Sequence, residues 1–205
     1  MSRRIFLDIG SNVGQTLEET VKTEYGFDLI FGFEPIKDCC DEINRTIIDK
    51  RLTVNNFGLY SEDCKKTIYY NGKGDIGGSI YEDKVDRNPN SNNREDIVCE
   101  FRDVSKWFKD NILETDFVVV KINVEGSECD IIESLIESGE YDKINRLLID
   151  FDCVKIPSQK HRKVEVENLL TSLGKQNYIT YFPAGNTHGD RIGNFIKGIG
   201  TPQIR

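Results

Sequence analysis

The 205-residue chain carries a formal net charge of −8, with 38% hydrophobic and 30% charged residues, the balance of one globular domain large enough to bury a core without staples. The acidic balance opposes nucleic acid or an anionic membrane surface as main partner, because affinity for either rests on clustered Lys and Arg; a small or neutral substrate is expected. The six cysteines, Cys39, Cys40, Cys64, Cys99, Cys129 and Cys153, form no CxxC pair and read as reduced thiols of a cytoplasmic protein.

After Met1-Ser-Arg-Arg a short apolar run ends at Asp8, so neither signal peptide nor membrane span is expected. The run Ile5 to Ile9 reads as a strand buried on both faces. It breaks at Gly10 and Gly14, before a helix expected over about 12 to 24 on Val13, Leu17 and Val21. Such a turn offers backbone N–H groups to an anionic ligand, and its missing Cβ atoms allow close approach. Leu29 to Phe33 reads as a second strand, followed by Glu34-Pro35 and a helix over about 35 to 49 carrying Ile36, Cys40, Ile43 and Ile47. A third strand, Leu52 to Phe57, completes a βαβαβ unit of the mononucleotide-binding kind.

Residues 57 to 102 form an insertion of short strands and turns: a strand over Lys66 to Tyr70, a turn-rich Gly72 to Gly78, and a strand over Ile97 to Phe101. Between them Glu82 to Asp96 holds hardly an apolar residue and reads as a mobile or solvated loop. A short helix over Asp103 to Asn111 leads to Asp116-Phe-Val-Val-Val-Lys-Ile-Asn-Val-Glu-Gly126, a β-branched central strand. Ser127 and Asp130 suggest a capping box for a helix on Ile131, Ile132, Leu135 and Ile136. A strand over Ile144 to Phe151 follows, then a helix over 158 to 173 with Val166, Leu169, Leu170 and Leu173 inward. Strands over Tyr178 to Phe182 and Asn194 to Ile199, joined by a loop over 183 to 192, close the chain. No repeat or linker divides it.

In an open parallel sheet ligands bind beyond the carboxyl ends of the strands. Those ends gather Asp8 to Gly14, Glu34, Asn55 and Asn56, Asn123 and Glu125, Asp150 and Asp152, and the 183 to 192 loop. An acid about 20 residues beyond the glycine turn accepts hydrogen bonds from ribose hydroxyls, which fits Glu34. The turn Gly10-Ser-Asn-Val-Gly14 has a side chain where the dinucleotide fingerprint Gly-x-Gly-x-x-Gly needs its second glycine. The carboxylate and amine of a methionine moiety fit it better than a pyrophosphate does, and Asp8 is placed to face the ammonium.

Three segments, Phe6-Leu-Asp-Ile-Gly-Ser-Asn-Val-Gly-Gln15, Phe31-Gly-Phe-Glu-Pro35 and Val120-Lys-Ile-Asn-Val-Glu-Gly-Ser-Glu128, resemble in this order the signatures of FkbM-type S-adenosylmethionine (SAM)-dependent methyltransferases. The turn Gly58-Leu-Tyr-Ser61 and Gly77-Gly-Ser79 extend the resemblance, which covers about residues 4 to 150. It implies an α/β, Rossmann-like class I methyltransferase fold with a seven-stranded, mostly parallel sheet and helices on both faces. It also implies SAM as cofactor and O-methylation of a hydroxyl, often on a sugar of a glycan, glycolipid or natural product.

Carried over by residue, the resemblance implies Asp8, Gly10, Asn12, Gly14 and Gln15 at the methionine end and Glu34 at the ribose. Asn56, Gly58, Gly78 and Ser79 fall near the adenine. Lys121, Asn123 and Glu125 project toward the ligand edge, with Asn123 standing where the family's motif has aspartate; a hydrogen-bonding role survives that change and a charged one does not. Candidates for the proton acceptor in methyl transfer are Asp150, Asp152 and Glu125, with His188 behind them. Asp150 and Asp152, flanking Phe151 on one face of a strand end, could equally cap a helix or bind a divalent cation; no metal site is assigned. His161, between Lys160 and Arg162, reads as surface. An NAD-dependent oxidoreductase, opposed by the missing glycine, and a SAM-binding module without catalysis, suggested by Asn123, are the alternatives.

Overall fold

The apolar run at the N-terminus becomes strand β1 (Arg4–Ile9), and alternate side chains of that strand enter two different cores. A computed structural model describes residues 2–70, 77–85, 95–175 and 177–198. In it β1 is followed by α1 (Gln15–Thr20), β2 (Leu29–Phe33), α2 (Lys37–Thr46) and β3 (Leu52–Asn55). Then come β4 (Gly58–Tyr60), β5 (Cys64–Tyr70), β6 (Glu95–Asp103), α3 (Val104–Asn111) and β7 (Phe117–Ile122). The chain continues through α4 (Glu128–Ser138), β8 (Ile144–Ile149), α5 (Arg162–Ser172), β9 (Tyr178–Ile179) and α6 (His188–Lys197).

The main sheet is parallel throughout, in the order β3-β2-β1-β7-β8-β9. Strand order reverses between β1 and β7, and the crevice at such a switch point is where α/β sheets bind ligands. Ile5, Leu7 and Ile9 pack with Val118, Val120 and Ile122 against Val104 and Phe108 of α3, Ile131, Ile132 and Leu135 of α4, and Val166 and Leu170 of α5. On the opposite face Phe6, Ile30, Val119 and Leu148 pack against Leu17 of α1, Ile43 of α2, and Ile192, Phe195 and Ile196 of α6. The period-two alternation of the strands thus places helices on both faces. A second, three-stranded sheet, β4-β6-β5, lays Ile68, Tyr70 and Phe101 against Ile36 and Cys39 beside α2.

Among the described residues the sheet has six strands instead of the expected seven. The segment expected as a last strand, Asn194 to Ile199, is the end of α6; Ile199 lies outside the described residues. Thr187 accepts from the Asp190 N–H while Asp190 accepts from the Thr187 N–H, a reciprocal cap that starts a helix whose buried Ile192, Phe195 and Ile196 recur at helical spacing. The capping box expected at Ser127 and Asp130 is absent; Asp130 instead meets Arg162 at 3.0 Å and the Tyr81 hydroxyl at 3.1 Å. Leu173 is exposed, beyond the end of α5. The turn-rich 72 to 78 stretch and the polar 82 to 96 loop fall largely outside the described residues. Among the described residues no helix is long and apolar enough to cross a membrane.

Candidate active site

The β1–α1 turn is bent by three residues with positive φ: Gly10 at 87°, Asn12 at 47° and Gly14 at 90°. Gly10 sits so close to the neighbouring strand end that an added Cβ would lie 1.8 Å from the Asn123 carbonyl oxygen. The Gly10 and Ser11 N–H groups both donate to the Phe33 carbonyl, at 3.1 and 3.0 Å, and the Ser11 hydroxyl bridges the Asp8 carbonyl and the Phe33 N–H. The ends of β1 and β2 are thereby locked together through the turn.

Beneath the turn, Asp8 and Lys121 are register partners on adjacent strands. Lys121 Nζ lies 3.0 Å from Asp8 Oδ1 and donates to the Gly10 carbonyl at 2.8 Å. Burial pushes the Asp8 carboxyl upward, and Lys121 opposes that push. Both side chains are buried, so each needs the other's charge. His188, the first residue of α6, approaches from the other side and places Nε2 3.0 Å from Thr16 Oγ1. Its burial, reinforced by Lys121, holds the imidazole below its ordinary range.

Glu34 ends β2 as a buried carboxyl whose oxygens accept from the Asn12 N–H at 2.8 Å and the Ile36 N–H at 2.9 Å. Burial pushes it up to about 7. Each oxygen keeps a further acceptor position, enough to take two ligand hydroxyls.

After β7 the chain makes a tight turn through Glu125 (φ 59°) and Gly126 (φ 132°). The fully buried Glu128 accepts from the Gly126 N–H at 2.9 Å and, with its other oxygen, from the Cys153 N–H at 3.2 Å. This tie sets Asn123 and Glu125 against the short helical turn Asp152–Lys155 that follows β8. Glu125 is ion-paired with Lys84. Burial, then the nearby Asp152, pushes Glu125 up to about 8; burial also pushes Glu128 up to about 8.

These groups surround a cavity of about 350 Å³. Of the residues singled out from the sequence, Gly10, Asn12, Gln15, Glu34, Gly58, Gly78, Lys121, Asn123, Glu125 and His188 line it. Others do not. Asp8 lies behind Lys121, and Gly14 packs on Ile43 and Ile47. Asn56 turns its amide to the Glu34 and Pro35 carbonyls, and Ser79 donates to the Glu125 carbonyl at 2.6 Å. Asp150 and Asp152 do not share a strand face, because the chain leaves β8 at Ile149. Asp152 is buried behind Glu125, 2.6 Å from Lys155. The 183 to 192 stretch is a cap and a helix start instead of a loop throughout. Sequence reading missed Thr16 and the apolar wall of Ile68, Tyr70 and Phe101.

The cavity has two halves. The second sheet supplies flat apolar surface suited to an aromatic ring, and the turn supplies polar groups. Within the polar half the Asn123 Oδ1 is buried without a hydrogen-bond partner among the described residues, a state that favours a ligand donor. The residues present therefore fit a nucleoside bearing an amino-acid-like tail.

The raised carboxyls carry a stability signature. Glu34, Glu125 and Glu128 bind protons in the folded chain at pH values where unfolded glutamates have lost them, so stability falls as pH rises from about 4.5 toward about 8. The lowered His188 acts in the opposite sense only below about pH 6.5. Each tenfold change in proton affinity is worth about 1.4 kcal/mol. Melting followed by circular dichroism is expected to show a Tm at least about 4 °C lower at pH 8.5 than at pH 6.5. A flat profile would remove the buried-carboxyl account.

A family model described as the methyltransferase FkbM domain matches residues 8–179. Among solved structures the chain is similar to a crystal structure of methyltransferase FkbM from Methylobacillus flagellatus KT, at 16% identity and a TM-score of 0.50. The likeness covers 83% of this chain and 37% of that one; the chain thus spans well under half of that relative's length, and the similarity is one of fold. No curated protein matches the chain.

Proposed function

The chain belongs to the FkbM methyltransferase family, and from that premise we propose that it transfers the methyl group of SAM to a hydroxyl, most naturally of a deoxyhexose or other glycan residue. The observation that carries the reading is the convergence of the glycine turn, Glu34 and the unpaired Asn123 Oδ1 on one cavity. When bound, SAM supplies an electrophilic methyl group on a sulfonium that leaves as a neutral thioether.

The residues divide the binding task by chemistry. Asn123 and the Gly10 to Gly14 backbone would hold the methionine end, over the Asp8–Lys121 pair. Glu34 would accept the ribose hydroxyls. With Asn56 and Ser79 engaged elsewhere, the adenine falls to Gly58, Gly78 and the apolar wall of Ile68, Tyr70 and Phe101. Positioning supplies much of the rate of such a transfer. A base that takes the hydroxyl proton as the new bond forms adds about 10²- to 10⁴-fold.

Glu125 is the cavity-lining group best suited to that base, with Asp152 beside it; His188 and Glu34 also line the cavity, and Glu34 is assigned to the ribose. The acidic balance of the chain favours a neutral sugar over a phosphate-bearing acceptor. Incubation with methyl-labelled SAM and a panel of deoxyhexoses and oligosaccharides tests the proposal. A single methyl ether on a sugar hydroxyl is expected; label transferred to amine or carboxyl acceptors alone would contradict it.

A further inference from the structure

Lys84 comes from the polar stretch that reads in the sequence as a solvated loop, yet its side chain is fully buried. Its ammonium pairs with Glu125 and donates to the Gly77 carbonyl at 3.2 Å. Its segment is fixed at several points. Ser79 exchanges backbone hydrogen bonds with Tyr69 of β5, at 2.8 and 3.2 Å, and donates its hydroxyl to Glu125. The Tyr81 hydroxyl meets Asp130 of α4, the Val85 N–H donates to the Lys155 carbonyl at 2.9 Å, and Asp83 accepts from the Ser158 N–H at 2.9 Å. The segment that carries Lys84 is thus tied to β5, α4 and the stretch after β8.

The charged groups around Glu125 come from each neighbouring element. The 77–85 segment supplies Lys84. The turn after β8 supplies Asp152, itself paired with Lys155, and half-buried Asp150 precedes it. Helix α4 supplies Glu128, whose carboxyl oxygens accept from the Gly126 and Cys153 N–H groups. Lys121, on the strand that leads into the turn, is committed to Asp8 and the Gly10 carbonyl. Among the described residues Lys84 is the cation paired directly with the Glu125 carboxyl.

We propose that Lys84 is a positioning residue for Glu125: its buried ammonium, paired with the Glu125 carboxyl beside Asp152, favours the ionised form of that carboxyl, so that Glu125 faces the acceptor as a base. This rests on the reading of the cavity as a methyl-transfer site. Two neighbouring carboxyls resist full ionisation, and the adjacent cation offsets that resistance. Burial and Asp152 push Glu125 up, and Lys84 draws it down. With SAM bound, Glu125 would take the acceptor hydroxyl proton while SAM supplied the methyl group and its sulfur kept the electron pair of the carbon–sulfur bond.

Carbon-13 NMR of protein labelled at the glutamate carboxyl, with Glu125 assigned through Glu125→Gln, tests the inference without cofactor or acceptor. In the wild type Glu125 is expected to titrate at about 8. In Lys84→Met the titration moves upward by about one pH unit or more, while Lys84→Arg stays within about half a unit. If Lys84→Met does not fold, Lys84→Gln, which can still donate to Gly77, is expected to show the same upward move. Asp152→Asn moves the titration downward. An unchanged Glu125 titration in the folded charge-removal variants would overturn the inference, as would a wild-type Glu125 titrating in the ordinary carboxylate range. Failure of the wild type to bind SAM would instead overturn the functional reading and leave the titration intact.

Discussion

Gly10→Ala is expected to abolish SAM binding measured by calorimetry and to lower the melting temperature by about 10 °C. An alanine at φ 87° pays the left-handed penalty of about 1–2 kcal/mol. Its Cβ would also lie 1.8 Å from the carbonyl oxygen of Asn123, which is backbone and cannot rotate away. Relief requires the ends of β1 and β7 to separate, at a typical cost of about 1–3 kcal/mol for overpacking. The same movement displaces Asn123, the Lys121 bond to the Gly10 carbonyl and the turn around Glu125. Gly26→Ala is the control: its φ is 62°, but no atom lies within 4 Å of the added carbon, so a loss of about 1 kcal/mol and unchanged binding are expected. Wild-type affinity in Gly10→Ala would mean that the turn does not touch the ligand.

The second large effect is expected from Lys121→Met. Asp8 is fully buried, and Lys121 is the cation beside it at 3.0 Å. Removing one partner of a buried pair costs about 3–5 kcal/mol, because the remaining charge is left without compensation. The carboxyl escapes by taking up a proton, so the loss should be severe at pH 8 and smaller at pH 5.5, where protonation is cheaper. The sign is fixed: a carboxyl raised further in the folded state loses stability as pH climbs. Asp8→Asn in the same chain removes the stranded charge and should recover more than half of the lost Tm. Thermal melts of the two single variants and the double variant give the coupling directly. Additive losses would show that the pair is not an energetic unit.

Much of the frame was legible because its signals are local. The β-branched or apolar runs at 5–9, 29–33 and 117–122 emerge as adjacent strands of the sheet, since a strand buried on both faces has little choice of residue. Glu34, Lys121, Asn123 and Glu125 could be placed at the cavity because topology puts the carboxyl ends of parallel strands at one edge. Local signals failed where a third partner decides the outcome. Asn56 stands at the right edge but spends its amide on the Glu34 and Pro35 carbonyls. Asp152 stands beyond the right strand, but the chain bends at Ile149 and buries it behind Glu125. The stretch after Thr187 is too short to declare itself as helix or strand, and its cap and the α1 face it covers settle the matter. Lys84 carried no periodicity at all; its burial depends on contacts from β5, α4 and the turn after β8. The apolar wall follows the same rule, since β5 and β6 show a pattern of two faces but not which face meets a ligand.

Isothermal titration calorimetry of the wild type and Glu34→Ala with SAM and S-adenosylhomocysteine tests most directly whether this cavity holds a nucleoside methyl donor. Glu34 offers two carboxylate oxygens to the ribose, and each charge-assisted hydrogen bond is worth about 1.5–3 kcal/mol. Saturable one-to-one binding is predicted for the wild type, with affinity at least about tenfold weaker in a folded Glu34→Ala. A wild type that binds neither compound, or a Glu34→Ala variant that binds as tightly as the wild type, would contradict the assignment.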